Sequence, residues 1–271
     1  MTLPRPEGTP YETWQPRSAR IYLGRGRAWV TYTLLAVSIL VYVLQVASQL
    51  LLGEDLVMLW LMKAPASFIV RWGQWWRLWT PLFVHGGLMH LAFNMYALYL
   101  YGPTLERLLG KGWFLALYLT AGLWGNALSA VLNPGFAVGA SSAVFGVFAA
   151  LWLLMRRHRE ILGLWGQRVM QAMWSLIGVN LLLGFVLPRV DNWGHIGGAL
   201  GGLAFIALAG PRWRLEPYPF DALDQNEQAG FFLNRVMPLR LRDQRSPLRR
   251  ALATAALWAV AVGLVLVVGS R

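Results

Sequence analysis

The chain has 271 residues, 57% of them hydrophobic and only 13% charged, about half the roughly 25% charge of a soluble domain. With 15 Trp and no Cys, this composition excludes an ordinary soluble domain, any disulfide, a thiol nucleophile and a Cys-based metal site. The net charge of +12 raises nucleic acid as a partner, but the basic residues cluster between long apolar runs without any RNA- or DNA-binding motif, so no nucleic acid is expected.

A helix crossing the bilayer core takes about 20 mostly apolar residues, and seven segments are read this way. Residues 1–28 precede them as a basic, Pro-containing cytoplasmic tail, expected to be poorly ordered. The first span is Trp29–Leu51, too long for a cleavable signal peptide and without a small-residue cleavage site after it. Residues 52–80 form a loop dense in Trp and Leu, expected to lie in the membrane interface. Pro81–Tyr101, Gly112–Leu132, Ser141–Met155, Val169–Leu187 and Gly194–Ala209 follow as spans two to six. The fourth and sixth are short and rich in small residues, which suits helices inside a bundle. Residues 211–250 read as a basic cytoplasmic linker, and 251–271 carry a seventh span at Ala251–Val268. The expected fold is an all-α membrane protein, a polytopic bundle whose six-span core occupies residues 29–210.

Cytoplasmic loops collect Lys and Arg. With the N-terminus inside, nineteen of the 24 basic residues fall on cytoplasmic segments and five outside. The inverted arrangement reverses that ratio, so a cytoplasmic N-terminus is expected. Spans two, four and six then begin on the outer side, and three of the four histidines belong to them. The fourth, His158 in "RRHRE", reads as a solvated loop residue. No acidic residue lies in a span core, and no internal repeat supports a transporter.

Ser141 and Ser142 open the fourth span in "VGASSAVFGV". Ser is a favoured helix cap, and a cap or a helix–helix hydrogen bond explains many such residues. A nucleophile at a helix start gains from the free N–H groups there. His195 opens the sixth span in "VDNWGHIGGALGG", where Gly194, Gly198 and Gly202 allow close approach to another helix. If the partner is the fourth span, imidazole meets hydroxyl as base meets nucleophile. Phe145 lies one turn beyond Ser141 and can pack on that imidazole. Asp191 is near His195 in sequence but belongs to a Pro-containing loop, so a dyad is favoured over a triad.

In "HGGLMHLAFN", His90 and Asn94 are spaced i, i+4 and share one face, able to donate toward an oxyanion. His85 lies about 140° from His90 around an α-helix and reads as structural. That divergence, and the absence of H-E-x-x-H, argue against zinc, so no metal and no cofactor is expected.

These motifs, in this order, resemble the rhomboid family of intramembrane serine proteases. "WR" at Trp76–Arg77, "HGGLMHLAFN", Glu106–Arg107 in "GPTLERLLG", "GASSAVFG" and "NWGHIGGALGG" carry the resemblance over roughly Trp75 to Gly202. It implies Ser141 as nucleophile, His195 as general base, and His90, Asn94 and the Ser141 backbone as the oxyanion site. It further implies Gly139, Gly198, Gly202 and Phe145 as supporting positions. Trp76 and Arg77 would be structural or lipid-facing, and Glu106 and Arg107 would steady the cytoplasmic side. The seventh span matches a six-plus-one arrangement. The fifth span and the loop Pro188–Trp193 would act as gates. The implied activity is hydrolysis of peptide bonds in or near the transmembrane segments of single-span or multi-span proteins, in the lipid bilayer; the compact form of the chain points to a bacterial plasma membrane, with an organelle as the alternative. One departure stands out: Ser142 replaces the family's usual Gly after the nucleophile and offers a competing hydroxyl. It keeps open a second reading, an inactive rhomboid-like protein that binds membrane clients.

Overall fold

The computed structural model describes residues 18–21, 27–186, 190–219, 222–233 and 236–271. They divide into two compact units: Arg27–Gly210 with Ser246–Arg271, and the described parts of Met1–Gly26 with Pro211–Arg245.

The larger unit is helical. α1 (Trp29–Leu52) runs 24 residues without Gly or Pro and stops at Gly53, whose left-handed φ of 77° terminates it. Most of the loop that follows is built rather than irregular. α2 (Leu56–Leu61) is capped by the Asp55 carboxylate, which accepts from the Met58 N–H at 2.8 Å. α3 (Ala66–Trp72) and two 3₁₀ turns, Trp75–Leu78 and Thr80–Phe83, complete it.

The second predicted span begins later than expected. Its helix, α4, is Leu88–Leu109 rather than Pro81–Tyr101. The Gly86–Gly87 pair interrupts the run, with Gly87 fully extended at φ 158°, ψ 166°. α5 (Lys111–Leu132), α6 (Ser141–Arg157), α7 (Arg159–Val186), α8 (Asn192–Leu208) and α10 (Pro247–Gly269) coincide with the remaining five segments to within a few residues at most ends. The exception is α7, which starts ten residues before Val169, with a break at Gly163 (φ 52°, ψ −141°). The basic segment expected as a solvated loop is therefore largely helical. His158 caps α6 and is buried, contrary to its reading as a solvated residue.

Among the described residues, four helices are long and apolar enough to cross a membrane: α1, α5, α7 and α10. α6 and α8, at 17 residues each, are buried instead. α1 and α7 leave large apolar side chains uncovered, Leu40, Leu50, Leu182 and Phe185 among them. Lipid tails are as apolar as Leu, so such faces need no protein partner.

α8 is wedged between α5 and α6. A Cβ on Gly198 would overlap the Ser142 carbonyl oxygen, and one on Gly202 would overlap the Gly146 carbonyl oxygen. Only glycine permits this approach. A second apolar cluster joins α10 to α3 and α5 through Ala64, Ala66, Ile69, Leu78, Leu123, Ala127, Ala261 and Val265.

The smaller unit is a three-stranded sheet of order β1-β3-β2. β1 (Ser18–Ile21) runs parallel to β3 (Val236–Asp243), and β2 (Trp213–Pro217) antiparallel to it. α9 (Gln225–Leu233) lies between the last two in sequence. Arg240 and Arg242 both pair with Glu216 at 3.3 Å. Reading 1–28 as a plain tail and 211–250 as a plain linker missed these strands. Alternating Leu and Arg in "PLRLRD" was the signal. Residues 1–17 and 22–26 of the tail, and Leu187, Pro188 and Arg189 of the expected gate, lie outside the described residues.

Candidate active site

Ser141 is the first residue of α6. The N–H groups of a helix's first turn have no intrahelical acceptor and sit at its positive end. Here the first closed bond belongs to Val144, whose N–H donates to the Ala140 carbonyl at 3.0 Å. The backbone of Ser141 is thus an available donor beside its own hydroxyl.

The Ser141 Oγ lies 2.9 Å from His195 Nε2. The glycine contacts of α8 bring the two helices close enough for this bond. Phe145 stacks on the imidazole at 4.2 Å between ring centres and 7° between planes. Phe145 is one turn beyond Ser141, so a single helix face carries both the hydroxyl and the ring that orients its partner. His195 is 9% exposed. Its Nδ1 has no hydrogen-bond partner among the described residues.

Asp191 is turned elsewhere. Its side chain accepts from Gly194 N–H at 3.3 Å, from Asn133 Nδ2 at 3.1 Å and from the Ser129 hydroxyl.

Ser142 faces the helix crossing instead of the open side of Ser141. It is 4% exposed, its Oγ has no partner among the described residues, and a Cβ on Gly125 would overlap its own Cβ. The room that glycine would have provided at position 142 is supplied by glycines on the helices opposite.

Gly139 has φ 126°, a conformation side chains rarely adopt, and a Cβ there would come 2.6 Å from His90 Cε1. The imidazole of His90 therefore lies against the segment leading into Ser141. Gly86 N–H approaches His90 Nδ1 at 3.4 Å. In a neutral ring with Nδ1 accepting, the proton is on Nε2, the edge lying 2.7 Å from that Gly139 Cβ position. Asn94 is buried, and its amide donates to the His90 carbonyl at 2.9 Å.

His85 is not on the helix of His90, so their angular separation around a helix does not apply. It precedes the break, and its ring lies 5.3 Å from that of His90. His85 Nε2 accepts from Ala140 N–H at 3.4 Å, directly before Ser141. The backbone of His85 is held by Gln45 of α1 through two 3.0 Å bonds.

The remaining sequence-selected residues hold the frame. Arg77 donates to the carbonyls of Leu59 at 2.9 Å and Met62 at 2.8 Å. Trp76 donates to the Trp60 carbonyl at 3.1 Å and stacks on that ring. Glu106 is buried and accepts from the N–H groups of Val30 and Thr31 and from the Thr31 hydroxyl, at 2.8–3.0 Å. It caps α1 from another helix. Arg107 beside it is exposed. Sequence reasoning passed over Lys63, Ser129 and Asn133. The signal was available: Lys63 is one of only two lysines and sits in an apolar loop.

The family model of the rhomboid domain matches residues 72–212. The chain belongs to the rhomboid family and is an integral membrane protein. It is similar to the rhomboid protease GluP of Bacillus subtilis, with 36% identity over 187 residues, 68% of this chain and 36% of GluP. It is 33% identical over 168 residues to the putative rhomboid protease YdcA of the same organism, covering 55% of this chain and 83% of YdcA. RHOMBOID-like protein 7 of Arabidopsis thaliana is 37% identical over 151 residues, 55% of this chain and 48% of that protein. The chain thus spans about a third of GluP and about half of the Arabidopsis relative.

Proposed function

We propose that the protein is an intramembrane serine endopeptidase working through a Ser141–His195 dyad. The observation that carries this reading is the 2.9 Å contact between Ser141 Oγ and His195 Nε2, with the imidazole stacked on Phe145. His195 Nε2 takes the hydroxyl proton as Ser141 Oγ attacks the scissile carbonyl. The ring's own proton stays on Nδ1, so the imidazole becomes an imidazolium protonated on both nitrogens. The negative charge developing on the carbonyl oxygen is met by the Ser141 N–H, His90 Nε2–H and the Asn94 amide, which swings from the His90 carbonyl. His195 returns its proton to the leaving amine. Water, deprotonated by the same imidazole, then hydrolyses the acyl-enzyme. Phe145 fixes the ring plane through both half-reactions.

The substrates are membrane proteins with one or more spans, cut where the helix is locally unwound, because an intact helix hides its carbonyls in its own hydrogen bonds. Six spans, α1 and α4 to α8, form the catalytic core and α10 the seventh, with the N-terminus cytoplasmic. The distribution of Arg supports this orientation. The two Bacillus relatives support a bacterial plasma membrane.

The test uses purified protein in liposomes with a single-span reporter and a fluorophosphonate probe. Ser141→Ala and His195→Ala are expected to lose cleavage by at least about a thousandfold. Ser142→Ala is expected to keep both cleavage and labelling. Loss with Ser142→Ala but not Ser141→Ala would move the nucleophile by one residue. A wild type that neither cuts nor labels would overturn the peptidase reading in favour of client binding.

A further inference from the structure

Ser141 and His195 come from different helices, and neither is tied to the other by a neighbouring covalent link. The α8 glycines set how closely the two helices cross, and a separate set of bonds holds their starts. The last turn of α5 is where both are anchored.

Lys63, in the loop between α2 and α3, is fully buried. Its Nζ donates to the carbonyls of Gly135 at 2.6 Å, Asn133 at 3.0 Å and Ser129 at 3.4 Å. The Ser129 carbonyl already accepts from the Asn133 N–H at 2.8 Å, so Lys63 is a second donor there, and the C-terminal end of a helix is its negative end, which favours an ammonium. The backbone of Lys63 also pairs with Ala137, through N–H to O bonds of 2.8 and 3.3 Å. Ala137 is four residues ahead of Ser141.

Asp191 grips the same turn from the other side. It receives the Ser129 hydroxyl and the Asn133 amide, and caps α8 by accepting from Gly194 N–H. Its own carbonyl accepts from His195 N–H at 3.2 Å. Ser129 and Asn133 are spaced i, i+4. Each offers its carbonyl to Lys63 and its side chain to Asp191. One turn of α5 therefore lies between a cation that holds the approach to Ser141 and an anion that holds the start of the His195 helix.

We infer that Lys63 and Asp191 act as a pair of positioning residues, setting the Ser141–His195 distance through Ser129 and Asn133. The inference rests on the peptidase reading. Neither residue touches the reacting atoms. Burial draws the Lys63 ammonium down to about 8, and Asp191 opposes that shift; the two charges sense each other although other groups intervene.

The experiment uses the full chain in liposomes, with Lys63→Met, Lys63→Arg, Asp191→Asn, Ser129→Ala and the Lys63→Met/Asp191→Asn double variant. Three quantities are read well below each unfolding midpoint: the fluorophosphonate labelling rate of Ser141, kcat and KM. Lys63→Met and Asp191→Asn are expected to lower labelling rate and kcat about ten- to a hundredfold, as a misplacement near 1 Å does, with KM within about twofold. Lys63→Arg is expected to recover part of that loss. The double variant should fall no further than the worse single one, because the pair acts as a unit. Ser129→Ala, which leaves both charges in place, should show a smaller kcat loss of the same kind. Variants that label and turn over at wild-type rates, with only a lowered unfolding midpoint, would overturn the pair while leaving the dyad intact. A wild type that fails to label would overturn the dyad and the pair together.

Discussion

Ser142 and Gly198 meet at the tightest point of the helix crossing beside the Ser141 hydroxyl. The Gly198 position has backbone, not a flexible side chain, as its neighbour. Gly198→Val is expected to lower unfolding stability by about 1–3 kcal/mol, the range of overpacked cores, and to separate Ser141 from His195. Thermal unfolding in detergent and probe labelling would check the two effects; an unchanged midpoint would mean that α8 shifts freely. Lys63 makes a second prediction at this scale. Its pKa falls from 10.5 to about 8 because burial disfavours the ammonium, against the pull of Asp191. The unfolded chain therefore binds this proton more tightly between those two values. Stability contributed by this residue should rise as pH increases from about 8 to 10.5 and be flat below. The difference in unfolding midpoint between wild type and Lys63→Met, followed across that window, isolates it. A difference independent of pH would contradict the assignment.

At the scale of elements, charged residues close helix ends across the fold. Glu106 of α4 caps α1 with three accepted hydrogen bonds. Arg157 at the end of α6 donates to the Ile206 carbonyl of α8 at 2.7 Å. Arg250 of α10 donates to the Ala209 carbonyl at 2.7 Å and lies 4.0 Å over the Trp113 ring. Arginines that read in the sequence as orientation signals thus also cap helices. Glu106→Gln keeps the shape but weakens the bonds to the α1 amides. It is expected to cost about 1–2 kcal/mol, measured by unfolding, with no change in probe labelling of the folded fraction. What the sequence made legible follows from the same physics. Long apolar runs and the His195 glycines declared α1, α5 and α8 almost to the residue. The start of α4 was not legible, because the apolar residues of 80–84 match a span by composition while the Gly86–Gly87 pair breaks the helix. Ser141, His195 and Phe145 could be placed together from periodicity and small-residue spacing. The side-chain bonds of Lys63 and Asp191 could not, since they join segments 66 to 72 residues apart in one case and 58 to 62 in the other.

At the scale of the whole helical unit, the short α6 and α8 sit inside and the long apolar helices α1, α7 and α10 present their faces outward. This division places the polar site among helices shielded from lipid, where an ionisable group is less costly. α10 is part of that packing rather than an appendage. Trp258 donates to the Thr120 hydroxyl at 2.8 Å, Trp124 donates to the Leu257 carbonyl at 3.2 Å, and Trp79 packs on Trp258 at 5.6 Å. Ala261 and Val265 close the cluster that contains Ala64, Ala66 and Ile69. The ribosome releases those last two partners only after every other helix of the unit has been made. Until then the α3 segment, and Lys63 just before it, has only the earlier part of its apolar backing, Leu78, Leu123 and Ala127. Biosynthesis thereby acquires an order: every proposed reacting group is made before α10, the element that braces the loop carrying Lys63.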